Sequence, residues 1–329
     1  MSTFALKIIA LISMIIDHSA HVLYSCGVLH SYKLYLLLRG VGRLAFPIYA
    51  FLLVKGFGYT KDKKKYLGRM MVFALISQIP FTLCFAPENY EGAASTLFNM
   101  GYAWGWEAVL LLIPVAVCVL LCRDGGFALL LAAFLLLPGI RLSAGLVLLD
   151  GEMNVFYTLA VALSLLCCAE RFKNGKNWER ALLAAAVLPL LCLIQPHADY
   201  ALKGILLIVA LYILRDKNWA QVMAILAWSA FEYMWGLSWV LAAIFAFAAG
   251  GMFLLRNKGR LQLSGGVLLW CLGCCGLGSL YFSVLPLFSA LSALGAVLYN
   301  ESPGHRMKTL FYAAYPVHLA ILFIISSFL

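Results

Sequence analysis

Apolar residues fill most of the chain in a series of runs, each close to the length of a membrane-spanning helix. Short loops that are rich in charged residues separate the runs. About 20 apolar residues in a helix cross the ~30 Å hydrocarbon layer of a bilayer. The runs are continuous or helically periodic and do not alternate as the strands of an outer-membrane barrel do. The pattern therefore predicts an all-α polytopic transmembrane helical bundle.

The runs predict where the spans lie and roughly how many there are. Roughly 10 to 13 spans fit the chain, depending on whether every short run crosses the bilayer and whether 261–299 forms two short spans or a re-entrant hairpin. The other predicted spans are 4–24, 34–57, 66–85, 102–122, 127–149, 154–169, 181–194, 199–214, 219–233, 239–255 and 309–328.

Charge in the loops predicts the orientation of the bundle. The loop at 61–65 is strongly basic, whereas the next loop, 86–101, holds Glu88 and Glu91 and no Lys or Arg. Basic loops stay on the cytoplasmic side, so the N-terminus is predicted to be cytoplasmic as well. The net charge of +10 follows from these loops and gives no reason to expect a nucleic-acid partner.

Composition excludes a soluble domain. The chain is 64% hydrophobic and 12% charged, whereas soluble domains carry about 25% charged residues. The ten cysteines lie mostly inside apolar runs, where small buried thiols pack helices. No second CxxC pair accompanies the one at Cys271 and Cys274, so a zinc site is not expected.

Charged or titratable residues interrupt the apolar interior of the first two spans, among them Asp17 and His18, then Arg39 and Arg43. A charge at the centre of a spanning helix costs roughly 2.5 to 3.5 kcal/mol on insertion scales. Such residues persist where they face a polar cavity, pair with one another and serve a substrate. A purely structural alternative also remains, in which both arginines are ion-pair partners of Asp17.

Polar residues in later spans fall at matching depths. His18 lies about 14 residues into its span, ~21 Å deep. Asp199 and Lys203 are spaced i,i+4 at the outer end of another span, and Tyr315 and His318 lie near the middle of the last. This arrangement predicts one shared cavity in the middle and outer half of the bilayer.

The residue types indicate the chemistry of this cavity. An imidazole such as His18 exchanges protons near neutral pH and suits general-base catalysis. Paired guanidiniums hold phosphates or carboxylates in bidentate fashion. Asp17 with His21 is a possible metal pair, but we expect no metal. An imidazole, a carboxylate and paired guanidiniums in one cavity fit acyl transfer from a phosphate-bearing donor such as acyl-CoA, and they also fit an anion transporter.

Motifs in order along the chain resemble the TraX family. The most specific is Arg39-Gly-Val-Gly-Arg43-Leu-Ala-Phe-Pro47-Ile-Tyr-Ala-Phe51-Leu-Leu-Val-Lys-Gly56-Phe, and weaker matches lie at 6–10, 16–18, 66–80, 154–158, 199–204, 299–300 and 311–319. The family is named for a membrane protein that acetylates the N-terminus of conjugative pilin. It is similar to membrane acyltransferases that move acyl groups from cytoplasmic acyl-CoA to extracytoplasmic acceptors.

The resemblance implies a catalytic role for His18 and places in the cavity for Arg39, Arg43, Asp199, Tyr315 and His318. Two departures stand out. Lys55 occupies a position where the family pattern has an acid, and the segment at about 86–150 is longer than the family core. We therefore expect a single integral-membrane domain over 1–329 with a two-helix insertion at about 86–150.

Together these observations predict a multi-pass acyltransferase of the bacterial inner membrane that acetylates a hydroxyl or amine. Its partners would be the lipid bilayer, acyl-CoA (acetyl-CoA) as co-substrate, and an unidentified glycan, peptide or protein N-terminus as acceptor. The predicted catalytic residues are His18 and Asp17; the predicted substrate-binding residues are Arg39, Arg43, Asp199, Lys203, Tyr315 and His318. The rival functions are a proton-coupled transporter or permease for an anionic solute, and a non-catalytic partner of a surface-assembly machine.

Overall fold

The computed structural model describes residues 1–85, 116, 125–135, 153–179, 200–233, 285–305 and 307–329. The main helices within these ranges are α1 (Thr3–Ser25), α2 (Tyr32–Gly42), α3 (Ala45–Tyr59), α4 (Lys63–Phe85), α5 (Gly125–Leu135), α6 (Val155–Asn174), α7 (Ala201–Ile213), α8 (Asn218–Tyr233), α9 (Leu285–Leu298) and α10 (Lys308–Ser326).

Five stretches of the described residues are long and apolar enough to cross a membrane: Thr3–Ser25, Tyr32–Tyr59, Lys63–Phe85, Val155–Asn174 and Thr309–Ser326. Shorter apolar helices accompany them. The protein is therefore an all-α polytopic membrane protein, as predicted. Apart from residue 116, the predicted spans at 102–122, 181–194 and 239–255 lie outside the described residues. The total number of spans, the single domain and the insertion at 86–150 stay predictions.

The predicted second span, 34–57, is not one unbroken helix. α2 ends at Gly42 and α3 begins at Ala45, and at this break the N–H groups of Arg43 and Leu44 donate to carbonyls three residues back. Pro47, in the first turn of α3, explains the break, because it has no N–H for the carbonyl of Arg43 and its ring crowds that carbonyl. Arg39 and Arg43 nevertheless both face the carboxylate of Asp17.

The helices form two compact units, each described here by itself. The first contains Met1–Tyr59 and Leu206–Leu329. Within it α1 packs against α2, α3 and α10, while α9 packs against α2, α3 and α8. Large aromatic side chains fill its core: the ring of Phe51 meets Tyr299 edge-on with centroids 5.4 Å apart, and Phe57 meets Tyr212 at 5.6 Å. The aromatic contacts join α3 to Tyr299 and to α7, whereas the packing of α1 against α2 and α10 brings those three helices together.

The N-terminal end of α1 is tied to the segment between α9 and α10. The N–H of Thr3 donates to the carbonyl of Ser302 over 2.8 Å, and the hydroxyls of Thr3 and Tyr299 lie 3.0 Å apart. Gly304 has a positive φ of 65° and approaches Phe4 so closely that a Cβ atom would lie 2.7 Å from the Cβ of Phe4. This turn sets where α10 starts relative to α1.

The second unit, Thr60–Ile205, is organised by α4 packing against α6. Asn154 precedes α6 and is fully buried. Its backbone N–H and side-chain amide both donate to the side-chain oxygen of Gln78, over 3.0 and 2.8 Å, and the same amide donates to the carbonyl of Ala74. An ion pair joins Lys63 at the start of α4 to Glu170 near the end of α6. One helix pair is thus fastened near both ends.

Candidate functional site

Asp17 and Arg39 form the central ion pair of the site. Asp17 lies on α1, is 8% exposed, and its Oδ2 atom is 2.9 Å from Nη1 of Arg39 on α2. In a membrane interior neither charge is tolerated alone, so the pair offsets the cost that each would carry. This contact confirms that the first two spans approach each other at these residues. Both a structural and a functional role of the ion pair would require it.

Arg43 approaches the same carboxylate less closely. Its Nη2 atom lies 3.7 Å from Oδ1 of Asp17, and that oxygen, although buried, accepts no hydrogen bond from the described residues. The position of Arg43 follows from the break between α2 and α3, because it caps the C-terminus of α2. Two guanidiniums thus face one carboxylate, and the excess of positive charge suits an anionic group of a ligand.

Gly42 allows this approach. A Cβ atom on Gly42 would overlap Cβ and Cγ of Asp17 and would lie 2.5 Å from Oδ1. Only a residue without a side chain lets the end of α2 sit directly against the carboxylate. Sequence reasoning missed Gly42 as a site residue, although glycine inside an apolar helix often signals a close approach.

His18 and His318 form the second pair of the site. Nδ1 of His18 lies 2.7 Å from Nε2 of His318, which is 300 residues away in the sequence. The two ring planes are nearly parallel, at 9°, with centroids 5.0 Å apart. Nδ1 of His318 in turn lies 2.8 Å from the carbonyl oxygen of Ala314. The structure therefore contains a hydrogen-bonded chain from α10 to α1.

Tyr315 packs its ring against both imidazoles. Its centroid is 5.9 Å from that of His18 and 5.5 Å from that of His318, with an edge-to-face arrangement in each case. Tyr315 is 2% exposed. Such contacts hold aromatic rings in one orientation, so Tyr315 restricts the rotation of the two histidines.

Six predicted site residues therefore lie around one place in the first unit: Asp17, His18, Arg39, Arg43, Tyr315 and His318. Lys203 lies in the first turn of α7, and its predicted partner Asp199 lies outside the described residues. The pairing of these two residues and their contribution to substrate binding stay predictions.

The part of the chain that the structure describes contains no evident set of ligands for a metal ion. No cluster of three or more His, Cys, Asp or Glu residues has the geometry to bind one there. The metal pair considered from the sequence, Asp17 with His21, would have to compete with Arg39 for Oδ2 of Asp17. The carboxylate is thus arranged to bind guanidinium groups.

Comparison with known proteins identifies the family. A family model described as TraX protein matches residues 2–126 and 141–326. The chain belongs to the TraX family. The match includes all six residues gathered at the site and confirms the resemblance seen in the sequence. No solved structure matches this TraX-family protein.

One relative is informative about biological context. This TraX-family protein is 40% identical over 97 residues to a protein of Dichelobacter nodosus described as probable fimbrial assembly protein FimC, serogroup H1. The similarity covers 30% of the chain and 38% of the relative. The chain thus matches less than half the length of that protein.

Proposed function

We propose that the protein is an acyl-CoA-dependent O- or N-acyltransferase of the bacterial inner membrane, with acetyl-CoA as the acyl donor. The single observation that supports it most is that His18 lies near Arg39 and Arg43, the two partly buried guanidiniums that face the buried carboxylate of Asp17. Acyl transfer requires a base for the acceptor and positive charge for the donor or its oxyanion, and this cluster supplies both.

His18 serves as the general base in this proposal. It takes the proton of an acceptor hydroxyl or amine, whose lone pair attacks the carbonyl carbon of the thioester. The C–S bond then breaks, its electron pair leaves with sulfur, and the proton held by His18 passes to the thiolate. The products are the acylated acceptor and free CoA, so that atoms and charge balance.

Arg43 and Arg39 have different parts in the reaction. Arg39 is bound closely to Asp17, whereas Arg43 is held at 3.7 Å from the same carboxylate. Arg43 is therefore the better placed to stabilise the negative oxygen of the tetrahedral intermediate or a phosphate of the donor. Asp17 balances the charge of the cluster and holds both guanidiniums near His18.

The donor would approach from the cytoplasm. The loop at 61–65 carries four lysines, and basic loops raise the local concentration of polyanions such as acyl-CoA. The other basic loop invoked from the sequence, 256–260, lies outside the described residues. Because the predicted N-terminus is cytoplasmic, His18 is reached only after more than half of the bilayer, so the acyl group would travel within the protein.

The acceptor would belong to a surface structure. The FimC relative is described as a fimbrial assembly protein, and the family is linked to pilin modification. These relationships favour the N-terminal amine or a hydroxyl of an appendage subunit over a free metabolite. A glycan remains the second candidate, since the reaction uses a hydroxyl equally well.

Acyl-CoA turnover by the purified protein tests the proposal. In lipid nanodiscs with acetyl-CoA and an acceptor peptide, His18→Ala should lower turnover by about 10²- to 10⁴-fold, the usual contribution of a general base. The matched control is His305→Ala, because His305 lies in the loop before α10 and packs on Phe4. Equal turnover by His18→Ala and the parent would contradict the assignment.

A proton-coupled transporter is the second candidate, and the hydrogen-bonded histidine pair is the observation that favours it, because such pairs conduct protons in membrane proteins. It predicts flux of an anionic solute into proteoliposomes that depends on a pH gradient and does not depend on CoA. Turnover of acetyl-CoA without such flux would decide for the enzyme.

A further inference from the structure

We propose that His318 is a positioning residue for His18: it holds the His18 ring in the tautomer protonated at Nδ1 and so presents Nε2 as the reacting nitrogen. The catalytic role of His318 rests on the proposed acyl transfer, whereas the tautomer of His18 does not depend on it. His318, expected from the sequence to bind substrate, would instead hold the general base His18 in place.

The carbonyl of Ala314 determines the protonation of the His318 ring. A carbonyl oxygen only accepts hydrogen bonds, so at 2.8 Å the Nδ1 atom of His318 must carry the proton that is donated to Ala314. In a neutral imidazole the other nitrogen, Nε2, then has a lone pair and accepts.

Neutral rings are the arrangement that the surroundings favour. His318 is 8% exposed. Among the described residues, Arg39, Arg43 and His21 lie near His18, and the two guanidiniums share one carboxylate, that of Asp17. A further positive charge would add to an existing excess in a site with little water, where its cost is not screened. Neutral His318 therefore accepts at Nε2.

The tautomer of His18 follows directly. Its Nδ1 atom lies 2.7 Å from the accepting Nε2 of His318, so Nδ1 of His18 must donate and carry the ring proton. The nearly parallel ring planes and the 5.0 Å centroid separation fit a bond made in the plane of both rings. The basic nitrogen of His18 is thus Nε2, on the far side of the ring from His318.

This chain of hydrogen bonds also removes His318 from direct contact with substrate. Both of its ring nitrogens are engaged by the protein, one by Ala314 and one by His18. When Nε2 of His18 accepts the acceptor proton, the Nδ1 proton can shift toward Nε2 of His318 and spread the positive charge over two rings. When the thiolate takes a proton from Nε2 of His18, the Nδ1 proton returns and both rings regain their starting state.

Substitutions at residue 318 separate positioning from packing. His318→Gln keeps an acceptor, because the distal amide oxygen of glutamine can occupy the place of Nε2. His318→Phe keeps a ring and removes both nitrogens. The matched control is Val317→Phe, which places the same ring on the adjacent residue, whose side chain is 53% exposed and lies on the outer face of α10.

The first readout is enzymatic. For His318→Phe we expect kcat to fall about 10²-fold, the lower end of what a general base contributes, with KM for acetyl-CoA unchanged. His318→Gln should restore most of kcat, and Val317→Phe should match the parent. A rise in KM with unchanged kcat in His318→Phe would overturn the positioning role, because it would show that His318 binds substrate.

The second readout is independent of activity. In protein labelled with ¹⁵N-histidine and reconstituted in lipid, the ring signals of His18 are identified by their loss in His18→Ala. We expect a protonated Nδ1 and an unprotonated Nε2 in the parent and in His318→Gln, and loss of this preference in His318→Phe. A parent His18 protonated at Nε2, or unaltered signals in His318→Phe, would overturn the inference.

The two readouts distinguish failure of the inference from failure of the proposed function. If the parent protein shows the Nδ1–H tautomer and His318→Phe abolishes it while no variant turns over acetyl-CoA, the histidine pair stands and acyl transfer falls. If acetyl-CoA is turned over but the tautomer is the other one, acyl transfer stands and the role of His318 falls.

Discussion

The carboxylate of Asp17 occupies the space that a side chain at Gly42 would need: a Cβ atom there would lie 2.5 Å from Oδ1. The end of α2 thus lies directly against α1 at the residue that binds Arg39. The ion pair, the break after Gly42 and the place of Arg43 all depend on this close approach.

Gly42→Ala is therefore expected to be destabilising. The added methyl group would push Asp17 away from its place, and overpacking of this kind costs about 1–3 kcal/mol. The melting temperature in detergent measures the effect. The control is Gly68→Ala in α4, where a Cβ atom meets nothing within 4 Å and the higher helix propensity of alanine should leave stability equal or slightly greater. Equal melting temperatures for the two variants would contradict the close approach.

The Asp17–Arg39 pair is expected to be energetically coupled. Removing one partner leaves a buried charge, which typically costs about 3–5 kcal/mol. Asp17→Asn and Arg39→Gln should each lower the free energy of unfolding, and the double variant should lose less than the sum by about 1–3 kcal/mol. Unfolding of all four proteins in mixed detergent gives the coupling energy, and additivity within about 0.5 kcal/mol would show that the pair contributes nothing specific.

Asn154 is expected to be a strong stabilising contact within the second unit. Asn154→Ala removes the donor to Gln78 and Ala74 and leaves buried polar groups without that partner, at a cost of about 1–3 kcal/mol. The matched control is Thr158→Val on α6. The hydroxyl of Thr158 is buried and makes no hydrogen bond to any described residue, so its removal should cost little. A larger loss for Thr158→Val than for Asn154→Ala would be evidence against the network.

The start of α4 is expected to respond to acid. The backbone N–H of Lys65 donates to Oδ1 of Asp62 over 3.0 Å, and this bond holds the pKa of Asp62 below its usual value of 3.8. Because the carboxylate is the form that caps the helix, the stabilisation is present above the unfolded pKa and is lost as pH falls through the lowered pKa.

Hydrogen exchange of the α4 amides measures this cap. Asp62→Ala should speed exchange in the first turn at neutral pH, whereas Asp62→Asn, which also caps helices, should retain protection and remove its acid dependence. Protection in the parent that is unchanged between neutral pH and pH values well below 3.8 would contradict the capping role.

Some features of the site could be predicted from residue type and spacing. Asp17 and Arg39 were expected to approach because each is costly alone in a span, and the structure joins them. The break between α2 and α3 was also readable, since a proline in the first turn of a helix is tolerated and Pro47 marks such a start. It was overlooked because the apolar run continues through it without a change in composition.

Other features depend on contacts between distant parts of the chain. His18 and His318 are 300 residues apart, and no spacing rule connects them. Whether a histidine touches a substrate or another histidine is decided by the packing of α1 against α10. The predicted pairing of Asp199 with Lys203 needs Asp199, which lies outside the described residues, so it rests on the sequence alone.

The sequence by itself determined that the protein lies in a membrane, where its longer helices run, which polar residues they carry and to which family it belongs. These properties follow from transfer free energies and motifs that act locally along the chain. Only the tertiary structure decided that Arg39 binds Asp17 more closely than Arg43 does, that Gly42 makes room for the carboxylate, and that His318 faces His18. Hydrogen bonds form only within a few tenths of an ångström of their preferred length, and such positions are set by how whole helices pack.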